Sequence, residues 1–237
     1  MNFFNVPKTK KEILQGVRVA AYSLYMVDEE EDFNNFLDEW VNLNPVFAYN
    51  KKTGEYMITY HNWCHMGHVT ILAQQFGNYL NLDHYDLVVM FFATMFHDFK
   101  HSFGELCDAE NIQIALSEFE YFITHNKFCA NYIAKKFPTL FLKSKFIRDV
   151  YETIYRTEYP FIHKAVSPVQ KVMRDIDLTM SLSPLDIFGI GLTNETKNKF
   201  GSLDRFTMAE FALQQDFYYP EIKETIKNWL ETERNEA

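Results

Sequence analysis

His84-Tyr85-Asp86-Leu87-Val88-Val89-Met90-Phe91-Phe92-Ala93-Thr94-Met95-Phe96-His97-Asp98 is the stretch around which the rest of the chain is organised. Leu87 to Phe96 carries no charge, so a helix built from it has no face suited to water and belongs at the centre of a protein. The run is too short to span a bilayer, which takes about 20 apolar residues. Asn81-Leu82-Asp83 breaks the chain just before it, and Asp83 is placed to cap the helix. The buried run then ends, against expectation for a core segment, in the polar pair His97-Asp98.

On either side helical spacing dominates, and clean alternating strands are hard to find. Lys10 to Met26 is amphipathic, with Ile13, Leu14, Val17, Ala20, Ala21 and Leu24 on one face. The acidic run Asp28 to Asp32 suits the start of a helix over Phe33 to Leu43. Asn44 to Tyr56, with Pro45 and Gly54, reads as a loop, and Tyr60 to Leu80 as a helix. After a loop from Lys100 to Cys107, helices are expected over Asp108–His125, Lys127–Phe137 and Lys143–Tyr155. Ser167-Pro168 is an N-cap followed by an N1 proline and opens a helix carrying Val169, Val172, Met173, Ile176 and Asp177. Gly189 to Gly201 reads as a loop, and Ala209–Tyr218 and Glu221–Thr232 as the closing helices. No Pro/Gly/Ser linker divides the chain, so the expectation is one all-α domain over residues 1–237.

At 47% hydrophobic and 17% aromatic the chain can bury a large core, which excludes a disordered protein. A formal net charge of -9 and the absence of a basic stripe argue against general nucleic-acid binding. No signal peptide or membrane segment is legible at the N-terminus. Cys64, Cys107 and Cys129 are odd in number and lack paired spacing, so each is expected to be a small buried hydrophobe in a reducing, cytoplasmic setting.

The histidines divide into two groups. His84, His125 and His163 stand alone and are expected to be satisfied core residues. His61 and His65 lie four apart and share a helix face, while His97 and His101 flank Asp98. Burying such groups is costly unless they pair or bind a metal. Neutral imidazoles with carboxylates form a nitrogen/oxygen site suited to Mg, Mn, Fe, Co or Zn, and not a thiolate zinc site.

The ordered motifs Tyr60-His61-Asn62-x-x-His65, Phe96-His97-Asp98-x-x-His101 and Asp175-Ile176-Asp177-Leu178 resemble those of the HD-domain metal-dependent phosphohydrolases, and within them the class I cyclic-nucleotide phosphodiesterases. The likeness covers roughly residues 56–182. It implies that His65, His97, Asp98 and Asp177 bind metal, with Asp177 preferred over Asp175 because Leu178 follows it. It implies that His61 is the general acid and that Asn62 and His101 support the site or face the phosphate. Thr157-Glu158 resembles the family's Thr-acid pair, and Glu110, in Asp108-Ala109-Glu110-Asn111, falls where many members have an Asn-Glu pair. Gln214-x-x-Phe217 has the spacing of a base-binding clamp, although a surface Gln beside a core Phe is the simpler reading. His68 departs from the family, which has an acidic residue there.

The resemblance further implies two divalent ions, an activated hydroxide attacking phosphorus, and a proton passed from His61 to the leaving oxygen. Glu158 or Glu110 would flank His61. Lys100, Arg156 and Arg174 lie near the motifs and are each expected to be solvated surface charges. The expected activity is hydrolysis of a nucleotide phosphodiester, cyclic or short. The alternatives are a 5′-nucleotidase, a di-iron oxygenase using further histidines among His68, His101, His125 and His163, and a non-catalytic nucleotide-binding regulator.

Overall fold

The computed structural model describes residues 4–50, 55–58, 61–102, 106–183 and 205–236, with the side chains of 47–50, 55–58 and 236 excepted. It is all-α: ten helices among the described residues, joined by one short antiparallel strand pair. The helices are α1 (Lys10–Ser23), α2 (Glu30–Leu43), α3 (Trp63–Tyr79), α4 (His84–Phe96), α5 (Asp108–His125), α6 (Lys127–Lys136), α7 (Leu140–Tyr155), α8 (Pro168–Asp177), α9 (Arg205–Leu213) and α10 (Pro220–Glu236). A 3-10 turn over Met180–Leu182 follows α8. No helix among the described residues is long and apolar enough to cross a membrane.

α3 and α4 form the centre, packed on each other, with α1 and α8 against α3 and with α7 and α8 against α4. α4 is apolar nearly all round, and α3 is buried over most of its length despite its histidines and glutamines. Phe92 and Phe96 of α4 meet Phe119 of α5 and, for Phe92, Phe146 of α7 in edge-on ring contacts with centroids 5.4–6.0 Å apart. Trp40 of α2, fully buried, donates its indole N–H to Met95 O at 2.8 Å. α1 approaches α3 so closely at Gly67 that a Cβ there would lie 2.3 Å from Ile13 Cγ2.

Several boundaries differ from the sequence reading. Phe47–Asn50 and Glu55–Ile58 pair in register, Phe47 opposite Ile58, within the stretch expected to be loop. Each strand has only four residues, too few for an alternating pattern to emerge. α7 starts at Leu140, not Lys143, because Thr139 Oγ1 accepts from Leu142 N at 3.2 Å and caps it. Leu140 and Phe141 are consequently exposed in the first turn, where apolar periodicity gave no sign of helix. α9 lies earlier than Ala209–Tyr218, since Asp216 to Tyr219 form the turn that leads to Pro220 at the head of α10. The loop expected at Gly189–Gly201 lies outside the described residues.

Candidate metal centre

Three helix ends converge near the middle of the molecule. α3 begins where Asn62, extended at φ -135°, turns its Oδ1 onto Cys64 N at 2.7 Å and His65 N at 3.4 Å. That cap fixes His65 in the first turn of α3, with His61 immediately before it. α4 stops at Phe96, and His97 is its C-cap. The chain then turns through Lys100, whose φ of 55° is left-handed, carrying Asp98 and His101 round the same corner. α8 brings Asp177 on its last residue.

Asn44 ties the first two ends together. At the C-terminus of α2, its Oδ1 accepts from Lys100 N at 2.7 Å and its carbonyl accepts from Trp63 N at 3.0 Å. Its own amide donates to Trp40 O at 2.7 Å. A single buried residue thus sets the spacing between the segment of His61 and His65 and that of His97 and Asp98. Asn44 falls in the stretch that the sequence predicts as loop.

The four donors are close. His65 Nε2 lies 2.9 Å from Asp98 Oδ2 and 3.1 Å from Asp177 Oδ1. His97 Nε2 lies 3.3 Å and 3.4 Å from the same two oxygens, and the two Nε2 atoms are 3.1 Å apart. Both histidines are buried, and the carboxylates are 15% and 20% exposed, so the cluster opens to solvent on its acidic side.

The tautomers make this arrangement informative. His97 Nδ1–H donates to Thr94 O at 2.9 Å, which leaves the Nε2 lone pair facing the cluster in the neutral ring. His65 Nδ1 is turned away too, onto Met180 Sδ at 2.8 Å. Two imidazole lone pairs and two carboxylates therefore point at one another. Such a set is repulsive unless a proton or a metal ion sits among its members. An ion about 2.1 Å from each donor separates neighbouring donors by about 3.0 Å at right angles and about 3.4 Å at the tetrahedral angle. The separations above fall in that range, so the residues fit a divalent metal. The same closeness couples the protonation of these groups. Burial works against a charged His97 ring, yet Asp98 and Asp177 hold its pKa well above the ordinary value. Burial likewise opposes charge on the two carboxyls, but the neighbouring imidazoles keep both ionised to well below the usual range.

Asp98 is shared with a second donor group, His61, Asp98 and His101. His61 Nε2 lies 3.8 Å from Asp98 Oδ2, and its ring stacks on His101 with centroids 3.8 Å apart and planes 27° from parallel. His61 is 13% exposed, about as much as the Asp98 carboxylate beside it. The carboxylate beside it is Asp98, not the expected Glu110 or Glu158. Glu110 is exposed, and its carboxylate accepts from Cys107 N in the capping box of α5, bonds that lower its pKa. Glu158 is buried and faces His163 at 3.3 Å.

No family model matches this chain, and the comparisons with curated proteins and with solved structures found no match.

The remaining residues singled out from sequence divide. Thr157 is buried and donates to Ile154 O at 2.7 Å, closing the end of α7. Gln214 is exposed at the end of α9, and Phe217 packs half-buried against the core. His68 is fully buried one turn beyond His65. Thr179 Oγ1 lies 3.2 Å from its Nε2 and Ser183 Oγ 2.7 Å from its Nδ1. Burial, with His65 beside it, holds the His68 pKa down to about 3, so the ring is neutral. His68, His125 and His163 belong to neither donor group.

The three lone histidines are not core residues. His125 is exposed and stacked on Tyr121, His163 packs on Tyr155, and His84 is half-buried. Cys64 and Cys129 are buried as expected, and burial pushes the Cys64 thiol up to about 12. Cys107 is exposed instead, because it is the N-cap of α5. Lys100 pairs with Glu118 and Arg156 with Glu152, both at 2.7 Å. Arg174, expected at the surface, is buried. Asp175 is buried as well, with Oδ2 accepting from Tyr219 N at 2.7 Å, and burial raises its pKa to about 7. It faces α10 and is in neither donor group.

Proposed function

We propose that this protein is a metal-dependent phosphohydrolase that cleaves a nucleotide phosphodiester, in the manner of the HD-domain phosphodiesterases its motifs resemble. The observation that carries the reading is the pair of inward-facing Nε2 atoms, 3.1 Å apart, closed by the two carboxylates of Asp98 and Asp177. His65, His97, Asp98 and Asp177 would hold one divalent ion, and Asp98 with His61 or His101 could engage a second. Bound divalent ions supply charge neutralisation at the phosphate and acidify water toward neutral pH.

The chain's own residues do the rest. Thr94 and Met180 hold the two metal-facing imidazoles in the required tautomer. His61, beside Asp98 and steadied by the ring of His101, holds a proton at Nε2 for the departing alkoxide oxygen. Both metal-facing histidines are buried while Asp98 and Asp177 are partly exposed, so substrate would approach from the carboxylate side.

The test is hydrolysis of bis(p-nitrophenyl) phosphate and of a panel of cyclic mono- and dinucleotides, with Mn or Mg, by wild type and Asp98→Ala. Turnover that needs metal, stops with chelator and is absent from the variant is expected. No turnover of any diester by metal-loaded wild type would overturn the reading and turn attention to phosphomonoesters.

A further inference from the structure

α8 carries a second unusual group one helical turn before Asp177. Arg174 is only 8% exposed. Its guanidinium lies between two rings, 4.2 Å from the centroid of Phe161 and 5.1 Å from that of Tyr218. Its hydrogen bonds are long: Nη1 to Tyr218 OH at 3.4 Å and Nη2 to Asp216 O at 3.3 Å. Its Nε has no partner, and no carboxylate of the described residues pairs with it. Asp175, next in sequence, turns its Oδ2 to the backbone of Tyr219 instead.

A buried guanidinium has five donors to satisfy and a charge to balance. Ring stacking offsets part of that burial but supplies no acceptor. Arg174 also lines a cleft of about 360 Å³, together with Phe161, Ile162, Lys164, Asp216 and Phe217. Lys171 lies nearby, its Nζ 5.6 Å from the Tyr218 centroid. Two of the residues lining the cleft, Arg174 and Lys164, are cationic against the one carboxylate of Asp216, in a chain whose net charge is -9. The residues lining the small cavity at Asp177, which include Leu178, Met180 and Phe211, are not shared with it.

We propose that this cleft is an oxyanion site, separate from the four-donor cluster, that takes the phosphate group of a small phosphorylated ligand on Arg174, with Lys164 at its mouth. The proposal goes beyond the hydrolytic reading and does not rest on it, because no residue of the donor cluster takes part.

The experiment is calorimetric titration of the full chain in chelator with inorganic phosphate, a nucleoside 5′-monophosphate and the matching nucleoside. Saturable binding of a phosphate-bearing probe is expected, at least about tenfold tighter than the nucleoside. If the monophosphate binds and inorganic phosphate does not, the organic part contributes; if both bind equally, the phosphate alone is recognised. Asp98→Ala keeps this binding, while Arg174→Gln loses it. Lys164→Glu, at an exposed position that does not bear on folding, weakens it. No binding of either phosphate probe by folded wild type at millimolar concentrations overturns the proposal. So does undiminished binding by both Arg174→Gln and Lys164→Glu.

Discussion

His65 and His68 stand one turn apart on α3, both buried, both facing the segment that runs from Asp177 to Ser183. Their surroundings give them opposite chemistry. His68 has a hydroxyl at each ring nitrogen, so a neutral imidazole there is fully satisfied and needs no ion. His65 shows one nitrogen to a thioether and the other to a second imidazole and two carboxylates. The lesson is that burial does not distinguish a ligand histidine from a structural one. What distinguishes them is whether the inward nitrogen finds a donor and acceptor that complement it. Two inward ring nitrogens that face each other and two carboxylates make a set that could hold a cation, whereas a ring nitrogen facing a hydroxyl makes a hydrogen bond.

The comparison breaks most visibly at the cluster. His97→Ala or Asp98→Ala is expected to reduce metal-dependent turnover to background. Either should also abolish the rise in thermal midpoint that Mn or Zn gives the wild type, a gain of about 2.7 kcal/mol at a hundredfold excess over Kd. Unchanged midpoints in wild type with and without metal would remove the distinction drawn between the two histidines. His61→Asn is expected next in size. Turnover of a cyclic nucleotide should fall about 10²- to 10⁴-fold, because its alkoxide must be protonated as it leaves. A p-nitrophenyl ester, whose leaving group needs no proton, should be affected much less, and metal affinity measured by calorimetry should hold.

His68→Gln sharpens the other half. With its folded pKa depressed to about 3, His68 contributes stability that is present above the unfolded value near 6.5 and lost as pH falls through the interval between them. In urea melts of the metal-free protein, the wild type should therefore lose about 1 kcal/mol more than His68→Gln between pH 7.5 and 5.5. Metal affinity should change little; loss of metal binding in this variant would mean that His68 belongs with His65. Asn44→Ala is expected to cost about 1–3 kcal/mol of stability from the unmet Lys100 N–H. It should come with a 10- to 100-fold weaker affinity for metal, as when a ligand's supporting bond is removed.

Much of the helical frame was legible because it is local. α5 matches its expected span at both ends, since Cys107-Asp108 opens it and Asn126 closes it within the chain's own neighbourhood. α8 was readable from Ser167-Pro168 for the same reason, its capping box included. The four donors could be picked out through the ordered motifs and the resemblance they carry; the helix spacing expected of His61 and His65 does not hold, because α3 starts at Trp63 and His61 precedes its cap. The rest depends on partners remote in sequence. Nothing near His68 announces Thr179 and Ser183, which lie more than a hundred residues on. Arg174 looks like any charge on an amphipathic helix until Phe161 and Tyr218 close over it. Asn44 sits beside a proline just past the end of α2, and only tertiary contact reveals that it joins two helix ends.

That junction has a consequence for breathing motions. His65, His97 and Asp98 are held by segments that Asn44 knots together, whereas Asp177 arrives from α8, beyond α5, α6 and α7 in the chain. A local opening that lifts α8 from α3 and α4 withdraws one donor and leaves three in place. Amide hydrogen exchange along α8, rather than along the helices carrying the histidines, is therefore the natural clock for assembly and disassembly of the four-donor set.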